Sequence, residues 1–144
     1  MKTVNAGIEP ELYEYVAKTY EESPYYKLLG ISLEEVGPKY AIIGLDASPE
    51  LTNALGIIHG GVIMALADSA MGNAIRAAGL VGITADISVS LTSSPKIGEK
   101  IRARGEVVKK GKNLIFTEGK VFSDDKVVAY GKGTFFRTKT IEFE

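Results

Sequence analysis

Residues 53–74 read NALGIIHGGVIMALADSAMGNA, and this stretch decides what the rest of the chain must build. From Gly61 to Ala78 the composition is rich in Ala, Met and Leu, all strong helix formers, and Gly79 supplies a stop signal. The spacing predicts one long helix over 61–78. A helix this apolar buries itself only if something covers most of its circumference. A strongly curved sheet would do that.

The flanking sequence supplies the strands. Downstream, GITADISVSLTS (82–93), KIRARGEVVKK (100–110), NLIFTEGKVFS (113–123) and KVVAYGKGTFFRTK (126–139) are rich in β-branched and aromatic residues. Ser94-Pro95, Gly111 and Asp124-Asp125 separate them. Upstream, Ile31–Val36 and Tyr40–Leu45 alternate around a Gly-Pro turn and predict a hairpin, while residues 9–20 carry Leu12, Tyr13, Val16 and Ala17 at helical spacing. The expected order is helix, hairpin, long helix, then a four-strand antiparallel meander. Without alternating βαβ units this is an α+β fold, an antiparallel sheet around one central helix.

At 144 residues the chain reads as one domain over 1–144, with 1–24 as a helical lead-in. There are no cysteines and one histidine, which exclude disulfides and thiolate nucleophiles and argue against a protein-held metal. A net charge of −1 gives no reason to expect nucleic acid or an anionic membrane as a partner. Neither a signal peptide nor a membrane span is evident, so a cytoplasmic protein is expected. Signatures of phosphate loops, dinucleotide folds, serine hydrolases and zinc proteases are missing.

On a helical wheel, Gly61, Ala65, Asp68, Ser69, Gly72, Asn73 and Arg76 gather on one arc with Val62. Ile63, Met64, Leu66, Ala67, Ala70, Met71, Ala74, Ile75, Ala77 and Ala78 take the other, the expected core face. A glycine at 72 costs about 1 kcal/mol relative to alanine in a helix interior, which a merely wet face would not require. The small polar arc is therefore read as a contact surface. At its start, His59-Gly60-Gly61 opens the helix with N–H groups unobstructed by side chains, at the positive end of the dipole. Asp68 lies eight residues beyond Gly60, roughly 12 Å along the axis. A base acting on a carbonyl held at the helix N-terminus must be far closer than that. If the two serve one site, Asp68 comes from a second subunit.

The pattern N-x5-H-G-G-x6-D, met by Asn53, His59, Gly60, Gly61 and Asp68, resembles the signature of hotdog-fold acyl-CoA thioesterases. Within them it is similar to the phenylacetyl-CoA thioesterase-like group that also contains the acyl-CoA thioesterase 13 type. SSPKIGEKI (93–101) and VVKKGKNLIF (107–116) extend the likeness. The resemblance implies a sheet wrapped around the helix, homodimers and often dimers of dimers, and hydrolysis of a fatty or aromatic acyl-CoA. It implies that the Gly60 N–H polarises the thioester carbonyl while His59 and Asn53 orient the loop or the carbonyl. Asp68 would act as general base on water or as nucleophile, and Thr84 stands where relatives place a water-positioning serine. The coenzyme would meet Gly61, Asp86, Ser93, Ser94, Lys96, Lys109, Gly111 and Lys112. No cofactor is implied, because coenzyme A is part of the substrate. Two alternatives stand beside this reading: a hotdog hydratase, and a hotdog module that binds acyl-CoA without turnover.

Overall fold

The structure, a computed structural model, describes residues 2–143. Its elements are β1 (Val4–Asn5), α1 (Pro10–Glu21), α2 (Pro24–Leu29), β2 (Ser32–Gly37), β3 (Tyr40–Asp46), α3 (Gly60–Ala77), β4 (Leu80–Leu91), β5 (Lys100–Lys110), β6 (Leu114–Ser123) and β7 (Lys126–Thr140), with a 3-10 turn at Pro49–Leu51. The long helix and the strands fall within a few residues of their predicted bounds. The lead-in is more elaborate than a single helix. The short strand β1 pairs parallel with β2, and α2 follows α1 with Ser23 capping its start.

The sheet is one mixed layer in the order β1-β2-β3-β5-β6-β7-β4. This corrects the expected four-strand meander. Strands β5, β6 and β7 do form one, but β4 pairs with β7 at the far edge, and β5 pairs with β3 across α3. The chain leaves β3, next to the central strand β5, crosses the face of the sheet as α3 and enters β4 at the far edge. β4 therefore starts the second half as an edge strand.

Ile63, Leu66, Ala67, Ala70, Met71, Ala74, Ile75 and Ala77 of α3 are buried against Ile43, Ile101, Ala103, Ile115 and Val121 of the sheet. The approach is close because β5 and β6 present Gly105 and Gly119 side by side in register. A Cβ at Gly105 would overlap the Ala70 carbonyl, and one at Gly119 would touch the Met71 side chain. At its far end α3 stops as Gly79 takes φ 82°, a left-handed conformation that glycine adopts without a Cβ clash. Among the described residues no helix is long and apolar enough to cross a membrane.

The helical wheel is partly redrawn by tertiary packing. Ser69 and Asn73, expected on the contact arc, are buried; the Asn73 amide donates to the Ser69 carbonyl at 2.8 Å and to the Tyr26 hydroxyl at 3.1 Å. Met64, expected in the core, is 45% exposed. The reason is that α2 reaches across the Asn73 side through Tyr26, so the open stripe rotates to Gly61, Met64, Ala65, Asp68 and Gly72.

Candidate active site

The loop before α3 is built by Asn53. Its side-chain Oδ1 accepts from the Leu55 N–H at 2.9 Å and the Ile57 N–H at 3.3 Å, while its backbone N–H donates to the Ile57 carbonyl at 2.8 Å. The turn closes at Gly56, whose φ is 76°. With Oδ1 spent on the loop, the Asn53 amide nitrogen is the group left to reach a ligand. Thr52 bridges Ile58, and the His59 N–H donates to the Leu51 carbonyl at 2.8 Å, which fixes the entry into α3.

His59 is the N-cap of α3. Its Nδ1 accepts from the Gly61 N–H at 2.8 Å, so the neutral ring carries its proton on Nε2. A Cβ on Gly61 would fall 2.9 Å from that Nδ1, so the cap requires glycine there. Two consequences follow. The Gly61 N–H is already used, which narrows the expectation that Gly61 contacts substrate to its Cα surface. The Gly60 N–H has no acceptor among the described residues and points out of the helix at its positive end. Leu91, at the last residue of β4, packs beside it: a Cβ on Gly60 would lie 3.3 Å from the Leu91 Cδ2.

Two turns along α3, Asp68 is partly exposed, and its Oδ1 accepts from the Thr84 hydroxyl at 2.7 Å. Thr84 faces the helix because β4 and β7 pair it opposite buried Phe135. With its proton donated to the carboxylate, the Thr84 oxygen keeps a lone pair for a water beside Asp68. The second carboxylate oxygen is left to act as a base. The chain thus carries two candidate half-sites. One is an N–H donor with an apolar wall, Gly60 and Leu91, and the other is a carboxylate with a hydroxyl, Asp68 and Thr84. They lie well apart on β4, Leu91 at its last residue and Thr84 in its first half, seven residues or about 23 Å apart.

The thioesterase superfamily model matches residues 55–130, which includes both half-sites. The chain belongs to that superfamily. Human acyl-coenzyme A thioesterase 13 is 30% identical to this thioesterase over 128 residues, which cover 85% of this chain and 91% of that protein. The solved structure of the Escherichia coli PaaI protein of the phenylacetic acid degradation operon aligns with a TM-score of 0.87. It covers 94% of this chain and all of that one at 22% identity. A Streptococcus pneumoniae thioesterase protein solved with coenzyme A aligns with a TM-score of 0.74 at 20% identity, covering 78% of this chain and 91% of that one. Together they place the thioesterase in the hotdog group of PaaI and acyl-CoA thioesterase 13.

The residues expected to meet the coenzyme divide between the same two ends. Ser93, Ser94 and Lys96 follow Leu91 and so belong to the Gly60 end. There Ser93 has a buried hydroxyl without a partner. The Lys96 N–H donates to the Glu99 carboxylate at 2.6 Å, which holds that carboxyl below its ordinary range. Lys109, Gly111 and Lys112 form the β5–β6 hairpin tip, where the Gly111 N–H donates to the Leu114 carbonyl at 2.8 Å. A Cβ at Gly111 would lie 2.6 Å from that carbonyl oxygen. Leu114 is paired with Phe136 and Phe136 with Ile83, so the tip belongs to the Thr84 end. Asp86 is exposed and paired with Thr134, on the face of β4 away from α3. One residue that the sequence did not point to joins this end. Arg137 donates through its backbone N–H to the Asn113 carbonyl at 2.8 Å and through its guanidinium to the Gly111 carbonyl at 3.4 Å. It adds a fixed cation beside two mobile lysines, and its separation in sequence from the hairpin gave no signal. That Leu91 stands against Gly60 could have been read from the sequence only with the β4 pairing in hand.

Proposed function

We propose that this thioesterase hydrolyses a fatty or aromatic acyl-CoA to the free acid and coenzyme A, in a site that two copies of the chain complete together. The observation that carries the reading is the split between the half-sites. The Gly60 donor and the Asp68–Thr84 pair sit about 12 Å apart on one straight helix, beyond the reach of a base acting on a carbonyl bound at the helix start. An isologous dimer joins Gly60 of one chain to Asp68 of the other, twice. The character of β4 supports this. It is a twelve-residue edge strand paired on one side only, largely exposed, with Asp86 as its single charge. Long edges of that kind are templates for pairing with another strand. Dimers of dimers are compatible with this arrangement and are part of the proposal.

In this reading the thioester carbonyl oxygen accepts from the Gly60 N–H, which meets the negative charge that develops as the carbonyl becomes tetrahedral. Asp68 of the partner subunit takes a proton from a water held by Thr84 of that same subunit, and the water oxygen attacks the carbonyl carbon. The C–S bond then breaks, the coenzyme leaves as thiolate and receives the proton from Asp68, and the acid is released. No metal or cofactor enters the balance, since a thioester is already activated. The phosphates of the coenzyme are met by the Lys109–Lys112 tip with Arg137. Support comes from the human relative named for this activity and from the S. pneumoniae structure of the same fold that holds coenzyme A.

The test is release of free thiol from a panel of acyl-CoAs by wild type and Asp68→Ala. Wild-type turnover that falls by at least two orders of magnitude in the variant is expected. Tight binding with equal, negligible release by both proteins would instead make this a binding module. A single turnover in 18O-water tests the two roles of Asp68: label in the Asp68 carboxylate shows that the carboxylate attacked and that water opened the resulting anhydride at Asp68, whereas direct attack by water leaves the protein unlabelled.

A further inference from the structure

Met64 departs from its own surface. The open stripe of α3 is otherwise Gly61, Ala65, Asp68 and Gly72, all small or polar, yet a large apolar side chain stands among them 45% exposed. Met64 lies four residues after Gly60 and four before Asp68, so the three recur at about one-turn intervals along one side of the helix. It is about 6 Å along the axis from each half-site. An apolar group left open here forgoes burial unless another surface covers it.

Two-fold symmetry fixes what that surface is. In an isologous contact, if residue i of one chain meets residue j of the other, then j meets i. A site joining Gly60 to Asp68 of the partner subunit therefore sets the two α3 helices antiparallel, with the axis beside position 64, midway between 60 and 68. The strands give a matching centre from the same pairing. Gly60 lies against Leu91, and Asp68 is bonded to Thr84. Two β4 strands that bring these ends together cross between Ile87 and Ser88, again the midpoint.

Resting on the shared-site reading above, we propose that Met64 sits on the dimer axis against Met64 of the partner subunit. The pair forms a wall common to both acyl pockets and sets the length and bulk of acyl group that each accepts. Methionine suits the place: unbranched and polarizable, it adapts to the acyl groups on either side of it. One substitution alters both pockets, because the axis makes the wall its own mirror.

Two measurements test this. The chain has no cysteine, so Met64→Cys introduces one thiol per chain, and a disulfide needs the two Cα atoms within about 7 Å. Oxidised Met64→Cys is expected to run as a covalent dimer on a non-reducing gel, while Glu14→Cys, exposed on α1, stays monomeric. The second measurement is the ratio of kcat/KM for long over short acyl-CoAs. Met64→Ala should raise it on the order of tenfold and Met64→Phe should lower it by a similar factor. A wild-type protein that is dimeric and active, with Met64→Cys uncrosslinked or the ratio unchanged in both other variants, overturns the assignment and leaves the thioesterase reading intact. A wild type that is monomeric, or that turns over no acyl-CoA, overturns the shared site itself.

Discussion

If the site is shared as proposed, removal of one N–H from the start of α3 disables half of it, and Gly60→Pro does so with little structural disturbance. Proline is favoured at the first helical position, where its missing N–H breaks no helical bond. The residue before it must be extended, and His59 already is, at φ −61° and ψ 132°. A Cβ at this position meets the flexible end of Leu91 and no backbone. What is lost is the donor to the developing oxyanion, typically about 3 kcal/mol or 10²–10³ in kcat. Asp68→Asn disables the other half. Each homodimer should then be nearly inactive in a thiol-release assay. Chains co-expressed with different tags and paired at random give heterodimers as about half of all dimers, each with one intact site and one doubly disabled site. The mixture should recover about a quarter of wild-type activity per chain, and purified heterodimer about half. Purified heterodimer with no more activity than its parents would refute the shared site, because each chain would then have to serve itself across a separation that the helix does not allow.

The hydroxyl of Thr84 gives a sharper chemical test. Thr84→Ser should keep kcat within a few-fold, whereas Thr84→Val, isosteric but without the bond to Asp68, should lower it by about 10²-fold with KM for acyl-CoA little changed. In the fold itself, Gly105→Ala sets a methyl group against the α3 backbone at Ala70 and should destabilise the protein by about 2 kcal/mol or more, read as a lower urea midpoint. An unchanged midpoint would mean that helix and sheet are not in close contact there. Glu99 supplies a pH dependence. The Lys96 N–H holds its carboxyl below the usual range, so the 96–99 turn is fully supported above that range and loses support as the pH falls through the lowered value. The Lys96 amide resonance should report this on acid titration and should cease to do so in Glu99→Gln.

The sequence by itself determined the long helix, most of the strands, the fold class and the candidate site residues, though not β1 or α2. The Ala- and Met-rich run to Gly79 could only be a helix, the β-branched alternation on either side could only supply strands, and His59-Gly60-Gly61 with Asp68 marked both half-sites. The separation on which the proposed split rests was also legible, because helical rise is a local property: eight residues from Gly60 to Asp68 fix a distance whatever else the chain does. What tertiary structure alone decided is where those halves face. Strand pairing joins residues far apart in sequence, and periodicity carries no register, so the placement of β4 beside β7 was not readable. That placement puts Thr84 on Asp68 and sets Leu91 against Gly60, while the pairing of β6 with β7 brings Arg137 to the basic hairpin. The burial of Asn73 and the exposure of Met64 were hidden for the same reason, since a helical wheel knows its own angles but not that Tyr26 of α2 covers one side and leaves the other open.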